Sequence, residues 1–209
     1  MALATALTHP LARHHLTILR NASTPPALFR AQTRRLAMLL GTEATADLPL
    51  IGCRVSTPIT DFEGEQLGIR IALVPILRAG LGLVEPLLEL LPEAEVWHLG
   101  MYRDETTSMP VEYYCKLPDG NPCDIGMVLD PMLATGGSVL SAIETLKRWG
   151  CNDIRVLSVI ASRPGLERLY REHPDVRVFV CAVDPELNER NFIVPGLGDA
   201  GDRIFNTQG

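Results

Sequence analysis

Ile125-Gly-Met-Val-Leu-Asp-Pro-Met-Leu-Ala-Thr-Gly-Gly-Ser-Val139 runs from an unbroken apolar segment, through an acid and a loop of small residues, into an amphipathic stretch. The apolar segment, 125–129, has no polar face, which suits a strand covered on both sides. Across 138–149, Val139, Leu140, Ile143 and Leu146 fall on one helical face, and Gly150 supplies the stop. Strand, loop, helix is the repeating unit of a parallel sheet. Further apolar runs of strand length lie at 69–76, 95–101, 154–160 and 176–183, with helical stretches at 83–91 and 165–172. Their alternation predicts an α/β fold with a doubly wound, mainly parallel sheet. Such sheets bind ligands beyond the carboxyl ends of their strands.

Before residue 69 the pattern is different. A helical segment follows Pro25-Pro26, with Leu28, Leu36, Met38, Leu39 and Leu40 as its apolar positions, and is expected to serve packing or oligomer contact. No internal repeat or low-complexity linker divides the chain. It reads as one domain over 1–209: a helical and hairpin part at 1–68, the α/β core at 69–190 with a β-arm hood at about 103–117, and a C-terminal segment at 191–209.

Composition narrows the function classes. With 209 residues, 46% hydrophobic and 21% charged, the chain can bury a sizeable core. The longest apolar runs are too short to cross a bilayer, and Met1 to His9 lacks the charged start and apolar stretch of a signal peptide, so no membrane contact and a cytoplasmic address are expected. The five cysteines are scattered without a Cys-x-x-Cys pair, pointing to reduced thiols rather than a disulfide framework or zinc site. A net charge of -6 opposes nonspecific attraction to nucleic acid. An anionic small molecule would need local arginines or backbone amides to hold it.

The 130–138 loop supplies the second of these. Amides of Ala134, Thr135, Gly136, Gly137 and Ser138 can converge on a phosphate at the positive end of the following helix, while Thr135 and Ser138 add hydroxyls. Asp130, at the strand end, can accept hydrogen bonds from ribose hydroxyls. A bare turn into a helix would also use two glycines, but the acid and the strand-to-helix setting favour a ribose phosphate. A P-loop is excluded, because no lysine stands beside Gly137.

Val74-Pro-Ile-Leu-Arg-Ala-Gly-Leu-Gly82 places Arg78 in a small-residue turn at another strand end. Its planar fork suits two phosphate oxygens of a diphosphate. Gly100-Met-Tyr-Arg103 closes the next strand and leads into a polar stretch, then the strand-like 111–117. That layout predicts a hood that brings Arg103 over the diphosphate and excludes water. The tail, Asn191-Phe-Ile-Val-Pro-Gly-Leu-Gly-Asp-Ala-Gly-Asp-Arg203, contains a literal Gly-x-Gly-x-x-Gly at 196–201. Too little chain follows for it to open a dinucleotide-binding βαβ unit. The histidines join no acid or cysteine constellation and read as structural.

The 130–138 loop resembles the phosphoribosyl diphosphate loop of type I phosphoribosyltransferases, in the form of their uracil branch, and the tail is similar to that branch's base-binding segment. The similarity runs from about His9-Pro10 to Thr207, and Thr42-Glu-Ala-Thr-Ala-Asp-Leu48 also looks familial. It implies transfer of a phosphoribosyl group from 5-phospho-α-D-ribose 1-diphosphate (PRPP) to uracil, giving UMP and diphosphate. PRPP contacts are implied for Arg78, Arg103, Asp130, Pro131, Met132, Leu133, Ala134, Thr135, Gly136, Gly137, Ser138 and Asp199, of which Arg103 and Asp199 stand nearest the chemistry.

Uracil contacts are implied for the backbone of Ile193, Gly198, Asp199 and Ala200. Uracil offers acceptor, donor, acceptor along O2, N3 and O4, an order that main-chain groups can match unaided. Magnesium is implied through substrate and water, with no direct protein ligand. A homodimer or higher homo-oligomer and a GTP effector are also implied. One departure stands out: many members carry two adjacent acids at the loop's start, whereas Pro131 follows Asp130 here. Two alternatives stay open, a phosphoribosyltransferase for another base and a pyrimidine-responsive RNA-binding regulator of the same fold. Orotate would want a cation beside the base, and 193–200 has none; a regulator would want a basic face.

Overall fold

In a computed structural model, residues 4–103 and 110–207 are described, with backbone alone at 102–103 and 110–112. In chain order the elements are β1 (Thr5–Ala6), α1 (Pro10–Arg20), α2 (Pro26–Ala44), β2 (Leu50–Ser56), β3 (Asp61–Leu67), β4 (Ile71–Leu77), α3 (Leu81–Leu90), β5 (Glu95–Val96), β6 (Leu99–Arg103), β7 (Pro110–Cys115), β8 (Ile125–Leu129), β9 (Met132–Leu133), α4 (Gly137–Trp149), β10 (Asp153–Ser162), α5 (Arg163–Glu172), β11 (Arg177–Asp184), β12 (Glu186–Leu187), β13 (Ile193–Val194) and α6 (Ala200–Phe205).

The main sheet has the order β1-β11-β10-β8-β4-β6-β7. Every neighbouring pair is parallel except β6 and β7. Side chains alternate between two cores. Ile71 and Leu73 face a layer holding α1, α2 and α3, while Ala72, Val74 and Ile76 face α4 and α5. β4 and β8 are apolar throughout because water reaches neither face.

The chain crosses from β4 through α3 to β6 in one direction, then returns to β8 on the other flank of β4 and proceeds through α4 to β10. With right-handed crossovers this reversal sends α3 and α4 to opposite faces. A crevice must open where they part, beyond the carboxyl ends of β4 and β8. The Arg78 turn and the 130–138 loop leave from those two ends.

Some expected elements moved. The 95–101 run splits into β5 and β6, with Trp97 donating its indole N–H to Glu95 at 2.8 Å between them. Where the β-arm was expected at about 103–117, β6 pairs with β7 in antiparallel register, Leu99 opposite Cys115, and 104–109 lie outside the described residues. A second hairpin, β2 with β3, stands largely exposed, and Ile59 near its turn is 93% exposed. The glycine-rich tail opens α6, a helix of six residues, with no parallel strand after it among the described residues.

At the amino end of β10, away from the crevice, Arg155 is only 2% exposed. Its guanidinium bonds Asp153 (2.9 Å), Asp47 (2.7 Å) and the Ala44 carbonyl, and Arg177 bridges the same two acids. Hydrogen bonds from Arg177 hold the Asp47 carboxyl below its usual pKa. Burial opposes ionisation of Asp153, but bonds from Arg155 and Arg177 outweigh it and lower that pKa too. A depressed carboxylate pKa stabilises the fold above the unfolded value, about 4, and the contribution is lost as pH falls through the folded value. Asp153→Asn should therefore cost about 2 kcal/mol at pH 7, below the range for fully buried pairs because Asp153 is itself partly exposed. In urea denaturation the deficit should be present at pH 7 and shrink at pH 3.

Candidate active site

The crevice at the switch point is built by three segments. A hollow of about 270 Å³ is lined by Ala79 from the turn after β4, by Asp130, Met132 and Ala134 after β8, and by Arg190 to Ile193 with Asp199 to Gly201 from the tail. A smaller hollow of about 70 Å³ adjoins it, sharing Asp130, Met132 and Ala134 and continuing along the loop to Val139. Residues from three motifs, far apart in sequence, thus meet in one wall.

The 130–138 loop takes the shape its sequence asks for. Gly136 sits at φ 78°, a left-handed conformation that strains any side chain, and an added Cβ would also lie 3.2 Å from the Gly165 carbonyl. Gly136 is the N-cap of α4, and no side chain caps that helix. By contrast Ser162 caps α5 and Asp199 caps α6. The start of α3, after the Arg78 turn, is likewise without a side-chain cap. At α3 the amides of Gly80, Leu81, Gly82 and Leu83 already donate to backbone carbonyls, whereas the glycine N-cap of α4 brings no side-chain oxygen to its helix start, an arrangement that can receive an anion.

Asp130 directly follows β8, where its Oδ1 accepts from the Met132 amide at 3.3 Å. Pro131 is buried and its carbonyl accepts from the amides of Val159 and Ile160, fixing the loop's departure over β10. Ser162, which the sequence reading passed over, supports the loop from behind. Its hydroxyl donates to the Ala134 carbonyl at 2.6 Å and accepts from the Gly165 amide at 2.9 Å. A serine at the end of a strand carries no local signal of its contact with Ala134.

Other expected residues stand differently. Arg78 belongs to the turn, entered through a cis Leu77-Arg78 peptide, but its side chain is 60% exposed and turns toward α6. It lies 3.2 Å from Asp202 Oδ1 and 3.5 Å from the Thr207 hydroxyl. Ala79, not Arg78, lines the hollow. Asp199 does line it, yet one carboxylate oxygen already accepts from the Asp202 amide at 2.9 Å, which starts α6. Ile193 and Ala200 are buried in the wall, and Gly198 turns at φ 79° just outside it. Arg103 ends β6 opposite Pro110; its side chain lies outside the described residues, and so does the diphosphate contact expected of it.

The family model for uracil phosphoribosyltransferase matches residues 6–207, taking in the turn, the loop and the tail. The chain belongs to the uracil phosphoribosyltransferase family. The uracil phosphoribosyltransferase of Roseiflexus sp. (strain RS-1) is 53% identical over 199 residues, covering 95% of this chain and 96% of that protein. The one from Streptococcus pneumoniae (strain ATCC BAA-255 / R6) is 48% identical over 203 residues, 97% of each.

Among solved structures, the AQ2163 protein from Aquifex aeolicus superposes with a TM-score of 0.93 at 35% identity, over 98% of this chain and 99% of that one. A hypoxanthine phosphoribosyltransferase from Staphylococcus aureus shares the fold alone, at a TM-score of 0.51 and 15% identity over 76% of each chain. Uracil phosphoribosyltransferase membership makes this chain a pentosyltransferase and decides among the readings left open by sequence. It favours uracil over another base and an enzyme over an RNA-binding regulator.

Proposed function

We propose that this enzyme makes UMP and diphosphate from uracil and PRPP with a division of labour along the crevice. The observation that carries it is the convergence of a strand-end carboxylate, the glycine-capped start of α4 and a backbone-rich tail on one cleft. Amides of 134–138 with the Thr135 and Ser138 hydroxyls hold the 5-phosphate, and Asp130 orients the ribose through its hydroxyls. Backbone groups of Ile193 and 198–200 hold the base with N1 toward the anomeric carbon. The bond from that carbon to diphosphate breaks as N1 approaches, positive charge develops on the ribose, and the N1 proton is released to solvent as the new bond forms. Fixing both partners supplies most of the rate.

Arg78 swings from Asp202 to the departing diphosphate, and Arg103 closes over it from the arm. Asp130 and Asp199 give the cleft wall two carboxylates, oxygen ligands of the type that suits the waters of a magnesium ion carried on the diphosphate. That ion, when bound, would neutralise charge on the leaving group. With purified protein, uracil, PRPP and magnesium, UMP and diphosphate should form one to one, and a chelator should stop the reaction. Absence of UMP would overturn the reading.

We further propose self-association through the β2–β3 hairpin, which leaves Leu50, Ile51, Val55, Ile59, Phe62 and Leu67 exposed. A two-stranded hairpin is marginal alone, and a second copy would cover those side chains. Sedimentation equilibrium should give a dimer or larger, and Phe62→Asp with Ile59→Asp should shift it toward monomer. GTP is carried as an effector on family resemblance; the same assay should run faster with it.

A further inference from the structure

In the tail segment assigned to the base, Ile193, Leu197 and Ala200 are buried in the core, but Gly196 and Gly198 between them have no side chain to pack. Behind the segment lies a second hollow, about 440 Å³, whose walls include Arg20, Thr24, Pro195, Leu197, Gly198 and Arg203. The peptides at these glycines, both in the left-handed region, need something other than their own packed side chains to fix them.

Charged groups do this work. Arg20 ends α1 and Asp184 ends β11, 164 residues apart, and they meet in a two-pronged ion pair of 2.6 and 2.8 Å. Both also grip the same residue of the tail. Arg20 Nη1 donates to the Gly196 carbonyl at 2.7 Å, and the Gly196 amide donates to Asp184 Oδ2 at 3.0 Å. Gly196 needs to be glycine for this, since it sits at φ 62° and a Cβ would run into the Ile193 carbonyl. The next carbonyl, Leu197, is held at 2.7 Å by Arg203, whose guanidinium also donates to the Leu19 and Asn21 carbonyls and lies 4.3 Å over the Phe29 ring. The end of α1 is thus a jig for the two residues just before the base-reading amides.

We infer that Arg20 and Asp184 are positioning residues for base recognition, setting the Gly196 peptide so that the amides after it meet uracil. The inference rests on the reading of Ile193 and 198–200 as the base contacts. Neither side chain lines the substrate hollow, so both act through the backbone. Lysine can keep the charge of Arg20 but cannot offer a planar fork to a carboxylate and a carbonyl together.

Arg20→Ala and Asp184→Asn should each raise KM for uracil about tenfold while KM for PRPP stays within about twofold, and Arg20→Lys should recover part of the loss. A tenfold change corresponds to about 1.4 kcal/mol. Amide hydrogen exchange at 196–200, with and without UMP, separates this inference from the reading beneath it. UMP should slow exchange there in the wild type, and Arg20→Ala should speed exchange in the free enzyme. Protection by UMP in the wild type, with unchanged uracil KM and exchange in both variants, would overturn the positioning role and leave the base contacts standing. No protection in the wild type would overturn both. If Arg20→Ala does not fold, Arg20→Lys and Asp184→Asn carry the same comparison.

Discussion

Cytosine should be used with a kcat/KM about 10³-fold below that of uracil. Relative to uracil, cytosine exchanges a donor for an acceptor at N3 and an acceptor for a donor at position 4. If main-chain groups in the order N–H, C=O, N–H receive the base, cytosine meets reversed polarity at both places. Each buried polar group left unpaired costs about 1–3 kcal/mol, so two together give about 2–6 kcal/mol. The middle of that range is about three powers of ten. The wall favours the large value, because Ile193 and Ala200 are buried there and leave little room for water to repair a mismatch. Initial rates with each base at saturating PRPP test it. Rates within tenfold of each other would mean that the base is not read by these amides.

Asp130→Asn should lower kcat/KM for PRPP by about 10²- to 10³-fold with a change in melting temperature under about 2 °C. The substitution keeps shape and removes charge. A hydrogen bond to a charged group contributes about 1.5–3 kcal/mol, and the carboxylate is assigned two ribose hydroxyls. Pro131 concentrates this role on one residue where many relatives of the wider class have two acids. The fold should barely notice, since the contact made by Asp130 Oδ1 with the Met132 amide can be kept by an asparagine oxygen. A loss of stability matching the loss of activity would instead mark Asp130 as structural.

Much of the fold was legible because a buried parallel strand must be apolar on both faces. Runs such as 125–129 and 154–160 could take few other places, and β8 and β10 contain them. β1 escaped notice, being two residues long and held only by pairing with β11. A hairpin was expected within 1–68 but its strands were not placed, because β2 and β3 are largely exposed on both faces and show no alternation. In the site, contiguous chemistry was legible: acid, turn and helix start in 130–138 follow one another and need no tertiary knowledge. Arg20, Ser162 and Asp184 were not, since each acts through a carbonyl or amide that only the topology brings to it. The direction of the Arg78 side chain was equally hidden, because Asp202 in α6 and Thr207 beyond it hold it from more than a hundred residues away.

A crystal structure with UMP bound tests the division of labour most directly. The phosphate should lie against the amides of 134–138, the ribose hydroxyls against Asp130, and uracil O2, N3 and O4 against the backbone of Ile193 and 198–200. A phosphate seated elsewhere, or a base that meets side chains and leaves the tail's amides untouched, would contradict it.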